Sequence, residues 1–218
     1  MKCALIFANG AVQDGPMVRR AFESAHSPLI IAADGGARIA QHFDLSVHVV
    51  VGDMDSLSQQ ELDALIAQGA DVHRHPPEKD YNDLELALRY TAETIGADWI
   101  RIIGGIGDRL DQTLANVYLL ALPVLEGRDV RIVAGNQETF LLKPGTHPII
   151  GRANDTISLI PIDRQVDGIR TEGLYYPLCD ESLFLGASRG ISNVMSEDVA
   201  RITIRQGRLL LVHTIGRA

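Results

Sequence analysis

Short apolar runs alternate with amphipathic stretches along the first part of the chain. The runs are rich in isoleucine and valine, and they lie at residues 4–8, 29–33, 47–51, 99–103 and 130–134. Runs of this length without polar alternation are typical of parallel strands that helices cover on both faces. The pattern therefore predicts an α/β domain with a mainly parallel sheet and right-handed crossovers.

Two of the amphipathic stretches predict helices with a defined buried face. The buried face of the first is expected to consist of Leu84, Ala87, Leu88, Thr91 and Ile95. Glu85 and Arg89, four residues apart, are placed for an ion pair on its exposed face. The second helix is predicted from Gln112 to Leu122, with a buried face of Leu114, Val117, Leu120 and Ala121.

The pattern changes near residue 135, where helical periodicity gives way to short β-prone segments. These segments lie at residues 138–142, 156–160, 182–185, 199–205 and 209–213. Turn sequences separate them, among them Lys143-Pro144-Gly145 and Asp167-Gly168. We therefore predict an N-terminal α/β domain at residues 1–136 and an all-β sandwich domain at residues 137–218.

Composition and charge narrow the range of partners. The chain has 218 residues, 46% of them hydrophobic, and a net charge of -8 with no basic run, which argues against nucleic-acid and membrane surfaces. Its apolar opening is too short for a signal sequence or a membrane span, so we expect a cytoplasmic protein. Cys3 and Cys179 lack the spacing of a metal or redox site, and both are expected to be buried hydrophobic residues.

Small and acidic residues follow the predicted strands of the first domain. They are Asn9-Gly10, Asp34-Gly35-Gly36, Gly52-Asp53-Met54-Asp55, Gly104-Gly105-Ile106-Gly107-Asp108 and Gly135-Asn136. Ligands of open parallel sheets bind beyond the carboxyl ends of the strands. One polar cleft is therefore expected to collect these residues.

Asp53 and Asp55 both face this cleft if Met54 turns away from it, which an extended backbone allows. Two carboxylates about 4 Å apart repel by about 4 kcal/mol at an effective dielectric constant near 20. A Mg²⁺ ion, a nearby basic side chain or a shared proton can offset this repulsion. A turn that ends the strand is the alternative interpretation.

A second acidic segment, Lys79-Asp80-Tyr81-Asn82-Asp83, leads into the first predicted helix. Either Asp80 or Asp83 can cap that helix, but capping needs one acid and the segment supplies two, with a lysine. Mg²⁺ prefers one or two carboxylates and fills its other positions with water and phosphate oxygens. The two acidic segments together indicate a phosphoryl-transfer site more than a structural metal site.

A glycine-rich segment at residues 104–113 precedes the second predicted helix. Glycines let the backbone approach a phosphate, and a helix N-terminus favours an anion. Arg109 is placed to pair with phosphate, and Asp111 and Thr113 to bind metal, ribose or a substrate hydroxyl. Taken alone, the segment favours a simpler interpretation, a glycine turn with Asp111 as helix cap. It matches neither a dinucleotide fingerprint nor a P-loop.

In their order along the chain, these segments resemble the motif set of the thiamine pyrophosphokinase family. The motifs are Asp34-Gly35-Gly36-Ala37, Gly52-Asp53-Met54-Asp55-Ser56, Lys79-Asp80-Tyr81-Asn82-Asp83 and residues 104–116. Residues 171–178 and 191–193 resemble β-domain elements of the same family, so the resemblance spans nearly the whole chain. Two departures are Asn82, where the family usually has threonine, and Val194-Met195, where an aromatic residue is common.

The resemblance implies a homodimeric enzyme that transfers the terminal diphosphate of ATP to the thiamine hydroxyl and releases AMP. It implies Mg²⁺ as cofactor, with Asp53, Asp55 and Asp83 as catalytic and metal-binding residues. The further nucleotide-binding residues that it implies are Asp34, Gly35, Lys79, Asp80, Arg109, Asp111, Gln112 and Thr113. Thiamine is assigned to Ser192 and Asn193, in a cleft completed by a second subunit. Tyr176 is its aromatic contact, with a buried core tyrosine as the alternative.

Three other functions fit parts of the pattern. The first alternative is a pyrophosphokinase for another small alcohol such as a pterin. The second is a module that senses Mg-nucleotide without chemistry, and the third is a phosphatase with an aspartate nucleophile. The products of one incubation separate them, because AMP marks diphosphate transfer, ADP a simple kinase, and free phosphate a hydrolase.

Overall fold

The first unit of the chain, Met1–Gly135, alternates strands with helices. It is seen in a computed structural model that describes residues 1–78 and 80–217. Its strands are β1 (Cys3–Phe7), β2 (Leu29–Ala33), β3 (Val49–Gly52), β4 (Asp71–Arg74), β5 (Trp99–Ile103) and β6 (Asp129–Ala134). Its helices are α1 (Pro16–Ser24), α2 (Gly36–His42), α3 (Gln59–Ala67), α4 (Asp83–Arg89) and α5 (Leu110–Tyr118). A π-helical segment, Tyr90–Ile95, continues α4, and a short 3₁₀ segment, Leu119–Ala121, continues α5.

These strands form a parallel sheet in the order β6, β5, β1, β2, β3, β4. The prediction of an α/β unit with a mainly parallel sheet is confirmed. β1, β2 and β5 are buried along almost their whole length, which is why their sequences are apolar without alternation.

The order of the strands fixes where a ligand can bind. From β1 the chain proceeds outward through β2, β3 and β4, and then returns to the other side of β1 to form β5 and β6. The direction of winding therefore reverses between β1 and β5. A crevice opens at the carboxyl ends of the strands at such a switch point.

The second unit, beginning at Asn136, is all-β and antiparallel. Its strands are β7 (Gln137–Leu142), β8 (Gly145–Ile150), β9 (Thr156–Pro161), β10 (Gln165–Glu172), β11 (Cys179–Phe184), β12 (Asn193–Val194), β13 (Val199–Ile204) and β14 (Leu209–Thr214). One described sheet has the order β12, β9, β14, β7, and the other the order β11, β10, β13, β8. Both contribute side chains to a single apolar core, as in the predicted sandwich.

Two further features complete the fold. Cys3 is buried on β1, but Cys179 is exposed at the start of β11, so the expectation of two buried cysteines is wrong for Cys179. Among the described residues, no helix has the length and apolar character needed to cross a membrane.

Candidate active site

Three aspartates meet at the carboxyl ends of the strands. Asp34 follows β2, Asp53 follows β3 and Asp83 begins α4, and one carboxylate oxygen of each lies within 4.8 Å of the others. Asp34 is 3% exposed, and the other two are half-buried. Carboxylates held this closely repel one another, and hard cations such as Mg²⁺ prefer oxygen ligands of this kind. The donor set therefore fits a divalent cation.

Asp34 gives an independent indication of a ligand. Its Oδ2 accepts a hydrogen bond from the Ser56 amide at 3.2 Å. Its Oδ1 is buried and has no hydrogen-bond partner in the described part of the chain. Buried carboxylate oxygens are nearly always satisfied, so this oxygen is available to a ligand such as a cation or a water molecule.

Gly52 allows the three carboxylates to approach one another. Its φ of 151° is unfavourable for residues with a side chain. A Cβ built on Gly52 would lie 2.9 Å from Asp83 Oδ1 and 3.0 Å from Asp34 Cβ. Glycine is therefore required here by backbone conformation and by the space that the aspartates occupy.

The loop that carries Asp53 and Asp55 is fixed from two sides. Met54 has a φ of 66° and turns into the apolar core, where it is 6% exposed. On the other side, Arg38 of α2 donates to the Ser56 carbonyl at 2.7 Å and pairs with Glu61 of α3 at 2.6 Å. The hydrogen bond from Arg38 holds the pKa of Glu61 well below its usual range. The loop is therefore held on both sides by contacts within the protein.

Asp55 lies outside the group of three. Its side chain is exposed and lines the cleft, where its Oδ1 accepts a hydrogen bond from the Ser56 hydroxyl at 3.2 Å. Its amide donates to Asp53 Oδ1 at 3.2 Å. The sequence predicts Asp53, Asp55 and Asp83 as metal ligands. Asp53 and Asp83 lie in the acidic group, but its third member is Asp34 and not Asp55.

At the start of α4, one residue caps the helix and the next belongs to the acidic group. Asn82 is the N-cap, because its side-chain oxygen accepts a hydrogen bond from the Glu85 amide at 2.8 Å. Asp83 is therefore not needed as a cap and is directed to the acidic group. Asp80 is exposed and does not line the cleft. Lys79, which the sequence assigned to the nucleotide, lies outside the described residues.

The acidic group opens into a cleft of about 670 Å³, within the usual range for a small-molecule site. The loops after β1, β2, β3 and β5 line it, together with the first turns of α4 and α5. The polar side chains among the lining residues are Asn9, Asp34, Asp55, Ser56, Asn82, Asp83, Asp108, Arg109, Gln112, Thr113 and Asn116. The predicted polar cleft at the strand ends is therefore present, but Gly135-Asn136, which was expected to contribute to it, does not line it.

The glycine-rich loop after β5 is packed against the loop after β1. A Cβ on Gly104 would lie 2.3 Å from the Ala8 carbonyl oxygen, and one on Gly10 would lie 2.2 Å from the Gly104 carbonyl oxygen. Asn116 of α5 donates to the Gly105 carbonyl at 2.8 Å, and the Thr113 hydroxyl accepts from the Gly107 amide at 3.1 Å. These glycines are thus required by loop packing, and the two side chains hold the loop in shape.

Arg109, Asp111 and Gln112 lie at the start of α5. Arg109 and Gln112 line the cleft, whereas Asp111 does not. Arg109 forms an exposed two-point ion pair with Asp111, with one contact at 2.6 Å and the other at 3.2 Å. The hydrogen bond from Arg109 lowers the pKa of Asp111. Gly35 packs against Asn9 and is also not a lining residue.

Five polar residues of the cleft were not among the predicted site residues, namely Asn9, Ser56, Asn82, Asp108 and Asn116. Asn9 follows the first apolar run, and Ser56 follows the Asp-x-Asp segment. Their positions at predicted strand ends could therefore have identified both as residues of the cleft. Asn116 is buried on α5, where its amide reaches the glycine-rich loop. The sequence feature that could have identified Asn116 is its position as a polar residue in an otherwise apolar helical stretch.

The predicted thiamine residues lie together in the second unit. Ser192 is exposed and has a φ of 57°. Asn193 is buried, and its side chain accepts from the Tyr176 amide at 3.0 Å and donates to the Tyr176 carbonyl at 2.7 Å. Tyr176 is 65% exposed and forms an edge-on pair with Tyr175, so the alternative of a buried core tyrosine is wrong.

Comparisons with known proteins agree over both units. The catalytic domain of thiamin pyrophosphokinase matches residues 22–133, and the vitamin B1 binding domain of thiamin pyrophosphokinase matches residues 146–209. A thiamine pyrophosphokinase of Bacillus subtilis (strain 168) is 29% identical over 164 residues, which are 75% of this chain and 76% of that relative. An Arabidopsis thaliana thiamine pyrophosphokinase is 28% identical over 85% of this chain and 77% of its own length.

Solved structures are similar over nearly the whole length. The crystal structure of thiamine pyrophosphokinase from Bacillus subtilis has a TM-score of 0.86 and 26% identity, over 98% of this chain and 99% of that one. The structure of thiamin pyrophosphokinase from Geobacillus thermodenitrificans has a TM-score of 0.83 and 25% identity, over 98% of this chain and 97% of that one.

Proposed function

The chain belongs to the thiamin pyrophosphokinase family, and we propose that it transfers the terminal diphosphate of ATP to the hydroxyl group of thiamine and releases AMP. The observation that carries the mechanism is the group of Asp34, Asp53 and Asp83, which lies beyond the carboxyl ends of β2 and β3 in the parallel sheet. The buried Asp34 oxygen without a hydrogen-bond partner indicates that this group is built for a cation.

Asp34, Asp53 and Asp83 would hold Mg²⁺ through carboxylate oxygens. When bound, the ion neutralises charge on the phosphate oxygens of ATP. We propose Asp34 as a metal ligand in addition to the two aspartates expected from the sequence, because its free oxygen lies in the acidic group. Asp55 then takes a role in the cleft apart from the metal.

The remaining polar groups of the cleft would position the nucleotide. Arg109 is exposed at the cleft edge, and it can exchange its partner Asp111 for a phosphate with little cost, since exposed ion pairs are weak. Gln112 lies one turn along the same face of α5. Thr113 and Asn116 act indirectly, because they hold the glycine-rich loop against which the nucleotide would lie.

In the reaction, the thiamine hydroxyl oxygen forms a bond to the β-phosphorus of ATP. The bond from that phosphorus to the bridging oxygen of the α-phosphate breaks, and AMP leaves with the electron pair. Asp55 and Asp108 line the cleft outside the acidic group, so either carboxylate can accept the hydroxyl proton. Positioning and charge stabilisation are expected to supply most of the rate, as in other phosphoryl transfers.

Thiamine would bind to the second unit around Ser192, Asn193 and Tyr176. Asn193 uses its amide to fix the backbone of Tyr176, so its contribution is to hold an exposed tyrosine in place. An exposed aromatic ring that is rigidly mounted can stack on a heteroaromatic ligand. The neighbouring Ser192 offers its hydroxyl as a hydrogen-bond partner for the same ligand.

We further propose that the enzyme is a cytoplasmic homodimer with its active site near the subunit interface. α5 contributes Gln112 to the cleft and exposes Leu110, Leu114 and Tyr118 at helical spacing. A continuous apolar stripe of this kind is typical of an interface. An exposed free thiol at Cys179 suits a reducing compartment.

The function is tested by one incubation of the protein with ATP, Mg²⁺ and thiamine. Phosphorus NMR and chromatography are expected to show thiamine diphosphate and AMP in equal amounts. ADP with thiamine monophosphate would show a simple kinase, and free phosphate without a thiamine product would show a hydrolase. If neither substrate is consumed, diphosphate transfer to thiamine is excluded.

A further inference from the structure

A buried ionic group lies in the second unit, on elements that the proposed reaction does not use. His213 of β14 is completely buried, at 0% exposure, between Glu138 of β7 and Asp155 before β9. Its Nε2 lies 2.9 Å from Asp155 Oδ2, and its Nδ1 lies 3.5 Å from Glu138 Oε1. Both carboxylates are buried as well. Charges in such a position are stable only when they are paired.

Asp155 is the centre of a tight turn. Its Oδ1 accepts the Gly216 amide at 2.8 Å, and its Oδ2 accepts the Arg152 amide at 2.9 Å in addition to the His213 ring. The carboxylate therefore fixes the turn that begins at Arg152 and the chain that follows β14. We call residues 152–155 the Asp155 turn.

The Asp155 turn is bonded directly to the chain that follows β12. The Met195 amide donates to the Asp155 carbonyl at 2.8 Å, and the Asn154 amide donates to the Met195 carbonyl at 2.8 Å. A Cβ on Gly151 would lie 3.0 Å from His213 Cε1 and 2.7 Å from Met195 Sδ, so the ring and the Met195 side chain border the same small space. The ionic group and Met195 are thus packed as one unit.

Met195 directly follows Asn193–Val194. The Tyr175 amide donates to the Val194 carbonyl at 2.8 Å, and Asn193 binds the backbone of Tyr176. Hydrogen bonds therefore connect the His213 ring to Met195 through the Asp155 turn, and the covalent chain from Met195 to Val194 and Asn193 continues the connection to the exposed tyrosine pair.

We propose that protonated His213 is a positioning residue for thiamine, acting through the Asp155 turn on the Asn193–Tyr176 segment. The proposal rests on the proposed thiamine-binding role of that segment. When the ring loses its proton, the two buried carboxylates that flank it are left without a cation between them, and the turn loosens. Thiamine binding then weakens, whereas the ATP cleft of the first unit is unchanged.

The direction of the pH effect follows from the groups around the ring. Burial lowers the pKa of His213, but the charges of Glu138 and Asp155, together with the hydrogen bond to Asp155, outweigh it and raise the pKa above its ordinary value. β9 places the apolar Ile157 opposite His213, and Gly151 and Met195 border the ring on another side. The charged Arg152 and Asp198 adjoin Gly151 along the chain and through the Gly151 amide. The stabilising contribution is therefore complete below the ordinary histidine pKa, about 6.5, and is lost as pH rises through the raised pKa.

The test uses His213→Gln, with His147→Gln of β8 as the control in the same unit. We expect His213→Gln to raise the KM for thiamine about tenfold and remove its pH dependence. Its kcat and its KM for ATP are expected to stay within about twofold. Hydrogen exchange of the Met195 amide, corrected for intrinsic rates, should accelerate in the same variant and in the wild type at high pH. The control should show neither change.

Each outcome decides a separate point. Unchanged exchange at Met195 would overturn the proposal, and accelerated exchange with an unchanged thiamine KM would overturn its link to the substrate. If the wild type has no activity towards thiamine, the proposed function fails while the exchange measurement still decides the role of His213.

If His213→Gln does not fold, Glu138→Gln decides, because removing one carboxylate should move the pH midpoint of Met195 exchange downward. An unmoved midpoint would overturn the proposal.

Discussion

At the residue scale, the acidic site depends on backbone conformations that the pattern of residue types does not reveal. From the sequence, Asp53 and Asp55 both face the cleft if Met54 turns away from it on an extended backbone. Met54 instead has a φ of 66° and is anchored in the core. Asp34 has a φ of 46°, so both residues lie in the sparsely populated left-handed region. Strain of this kind is typical of functional sites.

The grouping of Asp34 with Asp53 could not be read from their separation in sequence. β2 and β3 are neighbours in the sheet, and the Asp34 amide donates to the Val51 carbonyl at 2.9 Å. Adjacent strands are about 4.8 Å apart, so residues at their ends meet although 19 positions separate them. Without the strand order, Asp34 was assigned to the nucleotide and Asp55 to the metal.

Gly52→Ala tests the close approach of the carboxylates. The added Cβ meets Asp83 and Asp34, so we expect activity to fall by at least about tenfold and stability to fall by about 1–2 kcal/mol. Gly69→Ala is the matched control, because Gly69 has a φ of 94° but nothing within 4 Å of the new Cβ. Urea unfolding and the activity assay measure both effects. Equal activity in the two variants would contradict a special role for Gly52.

At the element scale, α5 differs most from its prediction. The expected buried face included Leu114, which is 47% exposed, while Asn116 is buried. The face of α5 towards the cleft is polar because Thr113 and Asn116 hold the glycine-rich loop. Apolar periodicity predicts that leucines lie in the core, but the polar face of α5 forms hydrogen bonds to the glycine-rich loop instead.

Leu114→Lys tests whether α5 forms the subunit interface. A charge in the middle of the stripe of Leu110, Leu114 and Tyr118 is expected to weaken association at least about tenfold, because the lysine would be desolvated on assembly. Ile66→Lys on α3 is the control, since Ile66 is also an exposed apolar helical residue. Sedimentation velocity measures both variants. A wild-type dimer that persists unchanged in Leu114→Lys would exclude this face.

The second unit contains a strand, β10, that was not predicted because its sequence includes residues typical of a turn. Asp167-Gly168 was predicted as a turn, but it lies inside β10 as an irregularity in the pairing with β11. Gly168 has a φ of 65°, and a Cβ there would lie 2.5 Å from Arg205 Cβ. Bulges use the same residue types as turns, so the sequence does not separate the two.

At the scale of the whole molecule, the alternation of strands and helices was predictable because it depends on burial. β2 and β5 have the bounds expected from their apolar runs, and the change to an all-β unit is also present in the sequence. Each unit has its own apolar core. The site was predictable as a cleft at the strand ends, whereas its individual contacts depend on tertiary neighbours such as Arg38 and Asn116.

The rate of thiamine diphosphate formation by Asp34→Asn, followed by phosphorus NMR at saturating Mg²⁺, tests directly whether the acidic group is the metal site. Asp44→Asn is the matched control, because Asp44 is an exposed aspartate with a φ of 57°, and asparagine tolerates that conformation equally well. We expect wild type and control to form equal amounts of thiamine diphosphate and AMP, and Asp34→Asn to lose at least about 100-fold in rate while remaining folded. A rate for Asp34→Asn within a few-fold of the control would contradict the assignment of the acidic group as the metal site.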